Sequence, residues 1–313
     1  MDNKLDPKPI FLAGPTAAGK SAVAMELAER IYGEIISVDS MQVYRGMDIG
    51  TAKPSPDQQK GIPHHLIDVA GLDESFDAAR FVSLAGAAVD GIRARGRVPI
   101  FCGGTGFYFK AFLHGLGQAP PSNPKIRAGL QATPLEELLT ELEQHDPATF
   151  QKIDRQNPRR VIRALEVIRI TGKPFSEQRA DWQVGGPTMP GHFIGLTRQS
   201  GELLDRISRR VDEMFAKGLV RETEALLQRG LANNTTAMQA LGYRQVVEHL
   251  RGERPLPGTI ELVKIRTRQF AKRQLTWFRR QMRLDWITLE GQSSIATAIE
   301  QRICGQKSPP TRD

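Results

Sequence analysis

The chain has 313 residues, 40% apolar and 25% charged, a balance that suits a soluble globular protein built as one large domain or two modest ones. No stretch approaches the roughly 20 uncharged apolar residues of a membrane span, and Met1–Pro9 lacks the apolar segment of a secretory leader, so the expectation is a cytoplasmic protein with no membrane partner. Lys plus Arg number 43 against 35 Asp plus Glu, and the two cysteines, Cys102 and Cys304, are too few for a disulfide framework or a four-cysteine zinc site.

Short apolar, β-branched stretches predict strands at Ile10–Ala13, Ile35–Val38, His65–Val69, Val98–Phe101, Phe193–Thr197 and Trp286–Leu289, most of them separated by helix-like segments. That alternation predicts an α/β fold, a parallel, doubly wound sheet flanked by helices, with ligands at the carboxyl ends of the strands. The strand rhythm stops between Pro120 and Gly191, where Leu135-Leu138-Leu139-Leu142 and Val161-Ala164-Leu165-Ile168 repeat at helical spacing. The expected organisation is a catalytic core over residues 8–120, a helical insertion over 121–191, the rest of the core over 192–304, and a disordered tail over 305–313. Pro120-Pro121 and Gly185-Gly186-Pro187 mark the edges of the insertion.

The residues that follow the strands carry the chemistry. Gly14-Pro15-Thr16-Ala17-Ala18-Gly19-Lys20-Ser21 fits G-x-x-x-x-G-K-[ST] between a strand and a helix. Its glycines let the backbone curl so that N–H groups converge on anionic oxygens, while Lys20 neutralises charge and Ser21 offers a hydroxyl to Mg²⁺. The motif specifies a diphosphate-like anion with a metal; it does not specify ATP. Asp39 ends the second strand, where a carboxylate serves either as a water-mediated Mg²⁺ holder or as a general base. Thr105, in Gly103-Gly104-Thr105-Gly106, places a hydroxyl where glycines allow close approach. Arg206 and Arg210, spaced i, i+4, offer a second cationic clamp on the anion. His64 and His65 lack a third ligand nearby and are read as structural.

The positive charge is localised. Eight basic residues and no acidic one lie between Lys264 and Arg283, and the remaining chain balances at 35 against 35. Lys264, Arg268 and Lys272 fall on one helical stripe, with Trp277 and Phe278 among later arginines. Cations for phosphates and aromatic faces for unpaired bases suit a structured RNA. Arg159, Arg160 and Arg163 offer a further contact on the same polyanion.

Taken together, "GPTAAGKS", "DSMQVYRGMDIGTAKP", "GGTGFY", "NPRRVIRALEV", "ALGYRQ" and "KRQLTWFR" resemble, in order from about Lys8 to about Leu289, the bacterial tRNA dimethylallyltransferase (tRNA isopentenyltransferase) family. The zinc-finger cysteines of eukaryotic relatives are absent. The resemblance implies transfer of a dimethylallyl group from dimethylallyl diphosphate to the exocyclic amine of the adenosine 3′-adjacent to the anticodon, in tRNAs reading codons that begin with U, with release of diphosphate. It implies that Gly14–Ser21 and Arg210 hold the diphosphate, Lys20 and Ser21 with Mg²⁺, and that Asp39 is the general base, with Thr105 and Lys20 beside it in catalysis. It further implies tRNA contacts at Asp39, Ser40, Met41, Gln42, Thr105, Arg127, Arg159, Arg160, Val161, Ile162 and Arg163. A second set comprises Ala240, Leu241, Gly242, Tyr243, Arg244 and Gln245, and a third Lys272, Arg273, Gln274, Leu275, Thr276, Trp277, Phe278 and Arg279. The expected partner is the tRNA anticodon stem-loop, engaged by a monomer. The competing reading is a phosphate-loop kinase acting on a small molecule or nucleotide with ATP, which leaves the basic C-terminal segment without a task.

Overall fold

The computed structural model describes residues 8–180, 189–290 and 295–303; Cys304, the expected tail 305–313 and the Gly185–Pro187 edge of the insertion lie outside them. Two compact units emerge, one formed by Met1–Phe112 with Met189–Asp313, the other by Leu113–Thr188.

The first unit is built on a six-stranded, all-parallel sheet in the order β3-β2-β4-β1-β5-β6. The strands are β1 (Ile10–Ala13), β2 (Gly33–Val38), β3 (His64–His65), β4 (Val98–Gly103), β5 (His192–Arg198) and β6 (Asp285–Leu289). The central strands are buried on both faces, which is why they read as unbroken apolar runs. Ile10 and Leu12 pack on one face against Leu27 and Ile31 of α1 (Lys20–Ile31). On the other face Phe11 stacks between Phe101 and Phe193, at 4.7 and 4.8 Å between ring centroids. The helices α2 (Pro56–Gly61), α3 (Ala78–Ala94) and α4 (Gly106–His114) follow β2, β3 and β4.

The third strand is shorter than the apolar run His65–Val69 predicts. Leu66 and Asp68 adopt φ of 63° and 56°, which no strand allows. The segment turns away from β2, with the N–H groups of Asp68 and Ala70 bonded to the carbonyls of Gln42 and Val43. His65 Nε2 lies 2.7 Å from the buried Glu34 carboxylate, which also takes Arg95, and His64 Nδ1 lies 2.7 Å from Ile62 O, so both histidines serve the frame.

The second unit is helical: α5 (Pro124–Ala132), α6 (Leu135–His145), α7 (Pro147–Lys152), α8 (Pro158–Thr171) and α9 (Phe175–Gln178). Leu130, Leu138, Leu142, Val161, Leu165 and Ile168 form its core. It starts ahead of Pro120, because Gln118 N–H bonds to Gln178 O and Gly117 bridges Arg179, which ties residues 117–118 to its far end. After β5 the first unit continues through α10 (Ser200–Ala216), α11 (Leu219–Gln228), α12 (Tyr243–Leu250), α13 (Leu256–Gln281) and, beyond β6, α14 (Ile295–Ile303). Among the described residues no helix is long and apolar enough to cross a membrane.

Candidate active site

The carboxyl ends of β1, β2 and β4, with α10, α13 and the segment 239–241, enclose a cavity of about 760 Å³ in the first unit. Thr16, Ala17, Gly19, Lys20 and Ser21 line it, as do Asp39–Gln42, Gly103–Thr105, Arg206, Arg209, Arg210, Ala240, Leu241, Arg273 and Gln274.

The phosphate loop is shaped by its glycines and held from outside. Gly14 has φ +152°, and a Cβ there would come within 2.1 Å of Leu196 O; Gly19 has φ +103° at the start of α1. Ala17, at φ 62°, is kept in the left-handed region by Arg206, whose Nε donates to Ala17 O at 3.0 Å. Arg198, the last residue of β5, donates from Nε to Ala18 O at 3.0 Å and is itself paired with Glu202. Lys20 Nζ donates to Pro15 O at 2.7 Å, across the mouth of the loop. Burial pulls the Lys20 ammonium down to about 8, countered by the charges of Cys102 and Asp39 and reinforced by Arg210. Burial also lowers Arg210, opposed by the Asp39 carboxylate, so two cations crowd one concavity.

Asp39 is fixed by the turn that follows it. Its Oδ1 accepts from Met41 N–H at 2.8 Å and Gln42 N–H at 3.3 Å, while among the described residues no donor meets Oδ2. Thr105 closes the same wall, its Oγ1 accepting from Ser40 N–H at 3.2 Å and its own N–H donating to Val38 O at 3.1 Å. Gln42 accepts from Ser37 Oγ at 2.9 Å and donates to Thr51 O at 3.1 Å, which stiffens the loop beyond Asp39. That loop is anchored again where Glu222 accepts from Ile49 N–H at 3.0 Å and Tyr243 Oη accepts from Gly50 N–H at 3.1 Å.

The glycines of Gly103-Gly104-Thr105-Gly106 make room for protein. A Cβ on Gly103 would meet Val38 O at 2.1 Å, one on Gly104 the Gln274 amide nitrogen at 2.3 Å, and one on Gly106 the Trp277 ring at 2.1 Å. The last two are side chains of α13, so this helix is pressed onto the turn that carries Thr105.

A family model described as IPP transferase matches residues 42–281. The chain belongs to this family. It is 45% identical over 287 residues to tRNA dimethylallyltransferase 1 of Trichlorobacter lovleyi, covering 90% of this chain and 94% of that one. Its identity to the tRNA dimethylallyltransferase of Geobacillus kaustophilus is 43% over 302 residues, covering 94% of each. Among solved structures, the full-length tRNA isopentenylpyrophosphate transferase of Bacillus halodurans superposes with a TM-score of 0.71 at 38% identity, covering 95% and 96% of the two chains. A eukaryotic dimethylallyltransferase acting on tRNA superposes at 0.80 with 29% identity, covering 95% of this chain and 77% of its own.

Within this member of the IPP transferase family, several residues expected at the RNA are buried or paired inside the protein. Val161 and Ile162 lie in the core of the helical unit, Arg163 is half-buried, and Arg159 and Arg160 are the exposed members of Arg159–Arg163. Arg163 and Arg127 both reach the fully buried Glu166, at 3.0 and 3.5 Å, and Arg163 also donates to Pro120 O. Tyr243 is buried with its hydroxyl on Glu222, Gln245 is buried on Gly242 N–H, and Arg244 pairs with Glu248. Phe278 sits in the core against Phe109, and Trp277 covers Gly106. The supposed stripe Lys264, Arg268, Lys272 is likewise divided. Lys264 pairs with Asp212 and Glu261, Arg268 donates to Ser208, and Lys272 faces outward with Arg273, Thr276 and Arg279.

Arg198 and Glu222 escaped sequence reading. Arg198 stands at the carboxyl end of a predicted strand, where the strand rule points, whereas nothing local distinguishes Glu222 from a solvated helix carboxylate.

Proposed function

We propose that this enzyme transfers the dimethylallyl group of dimethylallyl diphosphate to the exocyclic amine of the adenosine 3′-adjacent to the anticodon, releasing diphosphate. The observation that carries the reading is a single cavity holding both halves of the chemistry: the phosphate loop on one wall, and Asp39 with Thr105 on the other.

An adenine amine is a poor nucleophile, because its lone pair is delocalised into the ring, and it must lose a proton as the C–N bond forms. Asp39 Oδ2 takes that proton, since Oδ1 is engaged with the turn. The allylic C–O bond breaks as charge gathers on the diphosphate, which the loop N–H groups, Lys20, Arg206 and Arg210 stabilise. Lys20 leaves Pro15 O for the diphosphate, whose charge restores its proton affinity.

The residues present fit a magnesium ion carried by the donor. Ser21 is exposed at the first turn of α1 on the cavity wall and would hold the ion through its hydroxyl. Among the described residues there is no cluster of three or more His, Cys, Asp or Glu able to hold a metal. A single protein hydroxyl would suit a magnesium ion that arrives with its diphosphate substrate. When bound, Mg²⁺ offsets the charge developing on the leaving diphosphate.

The exposed Lys272, Arg273, Thr276 and Arg279 face of α13 meets tRNA phosphates, and the anticodon loop supplies an unstacked base at lower cost than a duplex. Arg159 and Arg160 are proposed as a second contact. One copy of the chain contains the whole cavity, which suits a monomer, and a tRNA substrate suits a cytoplasmic enzyme.

The test supplies dimethylallyl diphosphate labelled in the prenyl group, Mg²⁺ and unmodified tRNA, with γ-labelled ATP in a parallel reaction. Label from the prenyl donor should enter acid-precipitable tRNA and none from ATP should enter any product. ATP turnover without prenyl transfer would return the phosphate loop to the kinase reading.

A further inference from the structure

Gln274 belongs to the α13 run expected to touch RNA, yet it is only 8% exposed and both ends of its amide are committed inside the protein. Its Oε1 accepts from Thr16 N–H at 2.8 Å, and its Nε2 donates to Gly104 O at 3.0 Å. Gly104 lacks a Cβ where one would stand 2.3 Å from that Nε2, so the turn is shaped around this amide. Thr16 is in the phosphate loop; Gly104 immediately precedes Thr105, which holds Ser40 beside Asp39. One side chain therefore spans the two walls of the cavity, the donor wall and the acceptor wall, and it hangs from the same turn of helix that exposes Lys272, Arg273 and Thr276.

We infer that Gln274 is a positioning residue, which sets the phosphate loop against the Gly104–Thr105 turn so that the allylic carbon and the adenine amine meet at reacting distance. This rests on the transfer reading above. An amide suits the task because it presents one acceptor and one donor in a fixed plane, matching an N–H on one wall and a C=O on the other. A charged or shorter side chain satisfies only one wall or neither. Misplacement by about 1 Å of groups that must react costs on the order of a hundredfold in rate. Binding of RNA, by contrast, rests on exposed cations that Gln274 does not hold.

The experiment compares Gln274→Ala and Gln274→Glu with wild type. Thermal melts confirm folding, tRNA affinity is measured by filter binding, kcat and KM by prenyl transfer, and the exchange rate of the Thr16 amide on the protein alone. Gln274→Ala should lower kcat about 10- to 100-fold with tRNA affinity within threefold of wild type, and should release Thr16 N–H to faster exchange. Gln274→Glu supplies the sharper signature. A protonated carboxyl accepts from Thr16 and donates to Gly104 O as the amide does, whereas the ionised form sets a negative oxygen against that carbonyl. The activity of this variant relative to wild type should therefore rise as pH falls. The other titratable groups of the cavity, Lys20, Cys102 and Asp39, together with Arg206 and Arg210, contribute equally to both proteins and cancel in the ratio.

Tenfold weaker tRNA binding with unchanged kcat would make Gln274 an RNA contact and overturn the inference. An unchanged Thr16 exchange rate, or a flat Gln274→Glu ratio, would overturn it as well. If wild type transfers no prenyl group, the transfer reading fails, and Thr16 exchange still decides whether the bridge exists.

Discussion

Asp39→Asn separates the chemistry of the carboxylate from its architecture. Oδ1 holds the turn through Met41 and Gln42 N–H at 2.8 and 3.3 Å, and an amide oxygen can keep both bonds. What the substitution removes is the second oxygen, the one proposed to take the adenine proton. Loss of a general base costs about 10² to 10⁴ in rate, so kcat should fall by that factor while tRNA affinity and the thermal midpoint stay close to wild type. Asp39→Ala should lose the turn contacts too. A capping oxygen of this kind contributes about 0.5–2 kcal/mol. In a unit of this size, each kcal/mol is worth about 2–4 °C of thermal midpoint. Single-turnover transfer with saturating tRNA and donor isolates the chemical step, and melts of both variants read the turn. Asparagine turnover within threefold of wild type would refute the assignment of Asp39 as base. Equal melting losses for both variants would refute the division of labour between its oxygens.

Three further outcomes follow from the same geometry. Because burial pulls Lys20 down to about 8, its ammonium is lost as pH rises through that value, so calorimetric affinity for inorganic diphosphate should drop above pH 8 relative to a Lys20→Met variant that lacks the step. Parallel pH profiles for the two proteins would contradict it. Lys272→Ala and Arg273→Ala should each weaken tRNA binding and reduce the slope of log affinity against log salt by about 0.7–0.9 for each phosphate no longer neutralised, and for Lys272→Ala, which lies outside the cavity lining, single-turnover transfer at saturating tRNA should be nearly unchanged. An unaltered slope would remove the footprint from α13. Glu166 is buried, and its pKa is pushed up by burial yet held low on balance by Ser122, Arg163, Arg127 and Asn123 N–H. Glu166→Gln should destabilise the helical unit by about 3 kcal/mol, read as faster proteolysis within residues 113–188. Unchanged proteolysis would show the network to be dispensable.

The sheet was legible because parallel strands buried on both faces leave continuous apolar runs, as in Ile10–Ala13, which forms β1 to the residue. His65–Val69 misled for the same reason: Leu66 and Ile67 are apolar because they are buried, but they are buried in a loop whose positive φ angles leave no trace in hydropathy. The convergence of the Thr16–Ser21 loop and Asp39 on one cavity was readable from their spacing after strands. The basic stretch of α13 was not readable residue by residue, since side chains within two turns go to different fates: Lys272 to the exterior, Gln274 to the bridge between Thr16 and Gly104, Phe278 to the core. A hydrogen bond between residues 258 positions apart has no local signature. The glycines of the Gly104 turn were visible, but their reason, the approach of Gln274 and Trp277, lay in a helix far along the chain.

The most direct test of the central claim is mass analysis of nucleosides from unmodified tRNA after incubation with the enzyme, dimethylallyl diphosphate and Mg²⁺, with fragment mapping of the modified position. The account predicts a dimethylallyl group on the exocyclic nitrogen of the adenosine 3′-adjacent to the anticodon, with one diphosphate released for each group transferred. A prenyl group on another atom or nucleotide, or diphosphate release without modified adenosine, would contradict it.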